Sequence, residues 1–301
     1  MGGVSLVRAL ELFVAEDEEE VQPEETLTQK VTPTKMAVQS VFFHYGETEI
    51  LKDINLEIKE GEFIVLMGPS GSGKSTFLRL LTGLSTPSSG DIIVNNEKLH
   101  DTSDDLAVVF QDYSLFPWLT AQENLVLALK QKLKKTKTKK ELQQLAEEYL
   151  NLVQLGHAVK KYPGELSGGM RQRAAIARAL SLGTDIILMD EPFGALDPIT
   201  RIQLQDLILN INRNQKRTIV FVTHDAEEAI FLADRVVMFS PGPPGTIVSV
   251  IDVPFNKRRN RKELLESTEF IQFRDEILAI MNKGVLEKLN QSNQFNIGEG
   301  I

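Results

Sequence analysis

The chain has 301 residues, 42% of them apolar, with no cysteine and a formal net charge of −9, a composition that buries a sizeable core in one elaborated domain and excludes a fibrous or wholly disordered protein. The missing cysteines exclude a disulfide framework and a thiolate metal site, and the absence of a basic stripe speaks against nucleic-acid binding. The longest apolar runs, such as Phe63–Met67 and Thr218–Val222, are of strand length, far below the ~20 residues that span a bilayer.

Residues 1–30 hold eight acidic residues against Arg8 and Lys30, so most of the net charge sits there. A short amphipathic stretch, Leu6 to Val14, runs into that acid and then into Pro23 and Pro33. Such a segment buries too little apolar surface to offset its ordering entropy, so residues 1–35 are expected to be a disordered tail. It lacks the basic start, long apolar stretch and small-residue cleavage site of a signal peptide, which makes it a cytoplasmic tail on this reading.

From Met36 the pattern changes. Ala37–Phe43 and Ile50–Ile58 alternate or carry β-branched residues, Gly61 marks a turn, and Phe63–Met67 reads as a buried strand opening through a Gly-rich loop into a helix over Ser75–Leu84. Between Ala121 and Gly156 the apolar spacing becomes helical, with Leu125, Leu129 and Leu133, then Leu142, Leu145, Tyr149 and Leu152. Lysines from Lys130 to Lys140 in this stretch read as a solvated helix face and loop. A second helix is expected over Met170–Leu180. Short buried strands return at Asp185–Met189 and Thr218–Val222, each followed by a loop and a helical stretch, which is the pattern of a parallel sheet with crossover helices. Residues 241–260 begin Pro-Gly-Pro-Pro-Gly and read as a loop-rich link to a final amphipathic helix around Glu263–Met281. The expected organisation is a tail (1–35), an α/β domain (36–260) with a helical subdomain over about 112–180, and a C-terminal helix and tail (261–301).

Gly68-Pro69-Ser70-Gly71-Ser72-Gly73-Lys74-Ser75-Thr76 fits G-x-x-x-x-G-K-[ST] between a buried strand and a helix start. Glycines there let backbone N–H groups curl around a polyphosphate, and the helix N-terminus adds partial positive charge. Lys74 is placed to reach the β- and γ-phosphates of ATP and the Ser75 hydroxyl to bind Mg²⁺. The run Ile186 to Met189 ends in Asp190 and Glu191, so a strand delivers two carboxylates to the carboxyl edge of the sheet, where ligands of open α/β folds lie. Asp190 suits Mg²⁺ held through water, and Glu191 suits the polarisation of an attacking water. Alone, such an acid pair also serves to cap a following turn.

Those features describe a P-loop NTPase. Leu166-Ser167-Gly168-Gly169-Met170-Arg171-Gln172-Arg173, standing with Ser167 23 residues before Asp190, resembles the signature sequence of ATP-binding-cassette (ABC) ATPases. The two glycines at the opening of a helix also make physical sense as a second anion site. The remaining family elements occur in order. Tyr45 matches the aromatic that stacks on adenine, Gln111 the glutamine that senses Mg²⁺ and the γ-phosphate, Asp197 in Ala195-Leu196-Asp197 the loop crossing the dimer interface, and His224 the switch histidine at the γ-phosphate. By itself Tyr45 would be a strand residue, Gln111 a surface glutamine and His224 a structural hydrogen-bonder.

The resemblance covers residues 36–240 and implies an ABC ATPase core with a mixed, largely parallel sheet, an antiparallel β subdomain and a helical signature subdomain. It implies ATP and Mg²⁺ as cofactors and two copies, or a close paralogue, packed head to tail with each ATP between Lys74 of one and Ser167 of the other. It further implies integral membrane permease subunits as partners, a substrate-binding protein acting indirectly, and a peripheral position on the cytoplasmic face of the inner membrane. Met170 replaces the commonest signature glutamine, and the variant resembles importers of nitrate, sulfonate, taurine and bicarbonate; so do Asp190-Glu191-Pro192-Phe193-Gly194-Ala195 and Ser240-Pro241-Gly242-Pro243-Pro244-Gly245. An importer motor is therefore expected, with an exporter motor as the nearer alternative. A non-transport ABC ATPase is disfavoured because only 93 residues separate Lys74 from Ser167, with no long coiled coil between them.

Overall fold

A computed structural model describes residues 32–133, 136–255 and 261–296. The expected acidic tail up to residue 31, with its amphipathic stretch, lies outside these residues, as do Lys134 and Lys135. The described chain forms two compact units, one from residues 34–108, 185–191 and 216–296, the other from residues 109–184 and 192–215.

The first unit is built on two sheets. An antiparallel sheet has the order β2-β1-β4-β5, from β1 (Thr34–Tyr45), β2 (Thr48–Lys59), β4 (Ser89–Val94) and β5 (Glu97–Lys98). In β2, Ile54, Leu56 and Ile58 are buried while Asn55, Glu57 and Lys59 face solvent, the two-residue period of a half-buried strand. The second sheet has the order β10-β9-β3-β8-β7-β6, from β3 (Phe63–Met67), β6 (Leu106–Val109), β7 (Ile186–Asp190), β8 (Thr218–Val222), β9 (Arg235–Phe239) and β10 (Ile247–Asp252). β3, β7 and β8 are buried at every residue and pair in parallel, which is why they read as continuous apolar runs.

Helix α1 (Lys74–Leu81) buries Phe77, Leu78, Leu80 and Leu81, which join Leu51, Ile54, Leu66, Val222 and Phe239 in one core. An isolated eight-residue helix is marginal in water. Four buried side chains, each contributing roughly 1.5–3 kcal/mol, therefore hold this helix in place. It stops at Leu81, short of the expected Leu84, because Thr82 and Gly83 turn their N–H groups back onto Leu78 and Leu80 and Gly83 takes φ +76°.

The second unit is helical, with α2 (Ala121–Leu133), α3 (Lys139–Leu152), α4 (Gly168–Ser181) and α5 (Pro198–Gln215). The helical stretch expected over 121–156 is two helices, α3 being started by a capping box in which Thr138 Oγ1 accepts from Glu141 N–H and Thr138 N–H donates to the Glu141 carboxylate. Lys130, Lys132, Lys139 and Lys140 are exposed.

The first unit closes with α6 (Ala226–Leu232), α7 (Arg261–Glu266) and α8 (Thr268–Asn296). Two expectations change here. The single final helix is divided at Ser267, whose hydroxyl accepts from Phe270 N–H and starts α8. The link over 241–260 contains β10, in which half-buried Ile247, Ser249 and Ile251 alternate with exposed Val248, Val250 and Asp252 along the edge of the sheet. Among the described residues no helix is long and apolar enough to cross a membrane.

Candidate functional site

Because β3, β7 and β8 run parallel, their carboxyl ends meet at one edge. Leu66 and Asp190 both stand level with Val222, and Thr223 and Glu191 donate their N–H groups to Leu66 and Val222 respectively. The loop after β3, the acids ending β7 and the histidine after β8 are thereby gathered in the first unit.

In the loop, Gly68 has φ +149° and a Cβ there would lie 2.8 Å from Phe239 O; Gly73, the N-cap of α1, has φ +88° and a Cβ there would lie 2.6 Å from Leu51 Cδ2. Only glycine suits both positions. Lys74 is buried, and its Nζ donates to Gly68 O at 2.8 Å, Pro69 O at 2.9 Å and Ser72 Oγ at 3.1 Å. Burial lowers its pKa, and the charges of Glu191 and Asp190 act in the opposite direction. The Ser75 hydroxyl donates to Asp190 Oδ1 at 3.1 Å. Burial raises the Asp190 pKa; the Ser75 hydrogen bond opposes that rise and the neighbouring Glu191 charge adds to it.

Glu191 follows β7 with a left-handed backbone, φ +47°, uncommon for a residue with a side chain. Its Oε1 lies 3.5 Å from His224 Nδ1. Ser70 and Gly71 are exposed at the loop tip, Thr76 is half-buried in α1 and Pro69 half-buried in the loop. Tyr45 projects from the end of β1, 51% exposed, its ring edge-on to Phe43 at 4.8 Å. This combination offers a cation, a hydroxyl and two carboxylates around a loop of backbone donors, with an exposed ring on a neighbouring hairpin. Ser75 and Asp190 fit a hard divalent cation, since both present oxygen ligands and their side-chain oxygens already lie 3.1 Å apart. Among the described residues no cluster of three or more His, Cys, Asp or Glu could hold a metal ion.

The helical unit gathers a second set of the expected residues. Ser167 is the N-cap of α4, its hydroxyl accepting from Met170 N–H at 3.3 Å, so Gly168 and Gly169 occupy the first turn of the helix, where backbone N–H groups have no partner within the helix. A Cβ on Gly169 would stand 3.0 Å from Ala195 O, and Gln172 Oε1 accepts from Ala195 N–H at 3.2 Å. This holds the loop before α5 against α4. Asp197 starts α5, accepting from Thr200 N–H at 3.0 Å, and that bond holds its carboxyl below the usual aspartate range.

Gln111 lies exposed in the turn after β6. That turn is tied to the same helix by two residues that the sequence reading did not single out for a role: Arg171 lies over the Tyr113 ring at 5.4 Å, and Arg178 donates to Ser114 O at 2.5 Å. Their seven-residue separation, two helical turns, was the one signal of a shared face. Gln111's turn, Ser167 to Gly169 and Ala195 to Asp197 thus adjoin α4 within one unit.

The ABC transporter family matches residues 51–194. The chain is similar to the bicarbonate transport ATP-binding protein CmpC of Synechocystis sp., at 46% identity over 79% of this chain and 36% of that protein. It is similar to the nitrate import ATP-binding protein NrtD of Synechococcus elongatus, at 41% identity over 85% of this chain and 97% of that protein, and to the nitrate transport protein NasD of Klebsiella oxytoca, at 43% identity over 78% and 90%. The chain therefore spans about a third of the bicarbonate relative and nearly all of the nitrate ones. Among solved structures, a dimeric ATP-binding cassette in a post-hydrolysis state with ADP and Pi is similar at TM-score 0.68 and 36% identity, over 73% of this chain and all of that one.

Proposed function

The chain belongs to the ABC transporter family of ATP-binding cassettes, and we propose that it is the ATP-hydrolysing subunit of an importer of a small oxyanion, working in a pair on the cytoplasmic face of the cell membrane. The observation that carries the hydrolytic part is the gathering of Lys74, Ser75, Asp190, Glu191 and His224 at one sheet edge. The phosphate loop from Gly68 to Thr76 receives the triphosphate on its backbone N–H groups, and Tyr45 takes the adenine face. Lys74 exchanges acceptors within its own loop for phosphate oxygens. Ser75 and Asp190 would hold Mg²⁺, which supplies charge neutralisation at the β- and γ-phosphates when bound.

Glu191 orients a water and takes its proton as the water oxygen bonds to the γ-phosphorus and the bond to the β-phosphate oxygen breaks, leaving ADP and phosphate. His224 hydrogen-bonds the γ-phosphate and steadies Glu191 from 3.5 Å. The first-turn N–H groups of Gly168 and Gly169, with Ser167, meet the γ-phosphate held by the second copy, and Asp197 lies on the loop facing that copy; the similarity to a dimeric cassette bound to ADP and Pi supports this pairing. Permease subunits are the membrane partners, and a substrate-binding protein acts through them.

Nitrate and bicarbonate are the leading cargoes, because relatives named for each are more than 40% identical. The test is reconstitution of the chain with its membrane subunits. Import predicts that nitrate or bicarbonate stimulates ATP hydrolysis only when a binding protein is added on the opposite face. Stimulation without that protein would refute it.

A further inference from the structure

Ser240–Thr246 joins β9 to β10 as a closed loop. Ser240 N–H donates to Thr246 O at 2.9 Å, and Thr246 N–H and Oγ1 donate to Ser240 Oγ at 2.9 Å and 3.1 Å. Its far end lies against the phosphate loop. A methyl on Gly245 would stand 2.0 Å from Ser72 O, and one on Gly242 would stand 2.9 Å from Gly71 O and 3.2 Å from Ser72 Cα. Neither glycine has a left-handed φ, so closeness of backbones, not conformation, requires a residue without a side chain at both. The atoms in the way are backbone, which cannot swing aside as the end of a side chain does.

Gly245 is also fastened to β2, its N–H donating to Ile50 O at 2.8 Å and its carbonyl accepting from Lys52 N–H at 3.0 Å. Leu51, between those two residues, is the side chain that approaches Gly73. The stretch Gly71 to Gly73 is therefore packed against one continuous support, Leu51 of β2 and the Ser240–Thr246 loop bridged to it at Gly245.

We propose that Gly242 and Gly245 are positioning residues for the nucleotide phosphates, the loop that carries them being the outer wall that sets the curvature of the phosphate loop. Ser72 transmits the effect. Its carbonyl meets Gly245 and its hydroxyl accepts from Lys74 Nζ, so pushing Ser72 inward also shifts the cation that meets the β- and γ-phosphates. This rests on the reading of Lys74 as the phosphate-binding cation.

The experiment compares the full chain with Gly242→Ala, Gly245→Ala and, as control, Gly164→Ala, whose added methyl meets nothing within 4 Å. Binding of ATP and of inorganic tripolyphosphate is measured alongside the circular dichroism spectrum, the thermal midpoint and the ATPase KM and kcat. Gly245→Ala is expected to weaken both ligands by at least about tenfold (1.4 kcal/mol per tenfold) and Gly242→Ala by less. KM should rise by more than kcat falls, while Gly164→Ala matches wild type. Should Gly245→Ala not fold, Gly242→Ala and Ser240→Ala, which opens the base of the loop, are expected to weaken both ligands together, by less than about tenfold. Folded variants with wild-type affinity for both ligands would overturn the proposal. So would loss of ATP with tripolyphosphate retained, which would put the defect at the base and not at the phosphates. A wild-type chain that bound neither ligand would instead sink the nucleotide reading beneath it.

Discussion

Replacing Glu191 by Gln separates binding from chemistry. The backbone of Glu191 is held by its N–H on Val222 O at 3.1 Å and by its place at the end of a buried strand. Glutamine keeps the size and carries the same left-handed φ, whose cost of roughly 1–2 kcal/mol is common to both residues, so stability should hardly move. What disappears is the charge 3.5 Å from His224 Nδ1 and the capacity to accept a proton. General-base catalysis contributes about 10²–10⁴ in rate, or roughly 3–5 kcal/mol of barrier, and kcat should fall by that factor. ATP affinity should be unchanged or tighter, since a like charge beside the incoming triphosphate has gone while Lys74 keeps its place. Glu191 also favours protonation of Asp190, so the substitution helps Asp190 to ionise and receive Mg²⁺. Single-turnover hydrolysis of radiolabelled ATP reports the chemical step, equilibrium binding reports affinity, and gel filtration with ATP and Mg²⁺ should find a long-lived dimer. Turnover within tenfold of wild type, or lost ATP binding, would refute Glu191 as the base.

Asp190 provides a test with a stability sign. Its folded pKa lies above the ordinary 3.8, so the folded state binds more protons than the unfolded one between those values, and stability falls as pH rises through them. Asp190→Asn should remove that fall, melting above wild type at neutral pH without nucleotide while losing Mg²⁺-dependent hydrolysis; melts as pH-dependent as wild type in that window would contradict it. Tyr45→Ala should weaken ATP by about 1–3 kcal/mol, the worth of one base stacked on an aromatic ring, and leave tripolyphosphate binding alone; equal losses for both would remove Tyr45 from the base site. Ser167→Ala removes the α4 cap at Met170 N–H and should cost about 1 kcal/mol, a drop in melting temperature of roughly 2–4 °C that Ser167→Thr restores; calorimetry of the three proteins decides it.

Legibility in the sequence followed the range of the interactions. β3 and β8 were readable to the residue because burial on both faces leaves continuous apolar runs. The phosphate loop was readable because strand, glycines, lysine and helix start are adjacent in the chain. β9 and β10 escaped. Arg235 ion-pairs with Glu62 across the fold and so looks like a surface residue beginning a loop, and β10 is an edge strand hidden behind prolines and glycines. The end of α1 was misjudged by three residues because apolar spacing continues to Leu84 while Gly83 ends the helix. Among the proposed site residues, motif spacing named members but could not name their neighbours: that Gln111's turn, Ser167 and Ala195 to Asp197 adjoin one helix depends on Arg171, Arg178 and Gln172, whose partners lie far along the chain. The Ser240–Thr246 loop read as a linker for the same reason, since its glycines are required by Gly71 and Ser72 about 170 residues earlier.

The central claim is that each catalytic site is completed by a second copy, and the most direct measurement mixes two inactive chains. Lys74→Ala removes the phosphate cation and Ser167→Arg blocks the helix start offered to the partner, so each variant alone should be inactive. At equal concentration, random pairing in a symmetric dimer makes about half the dimers mixed, each with one intact site, so about a quarter of wild-type ATPase activity should return. A mixture that remained inactive although mixed dimers form would contradict shared sites, as would activity in either variant alone.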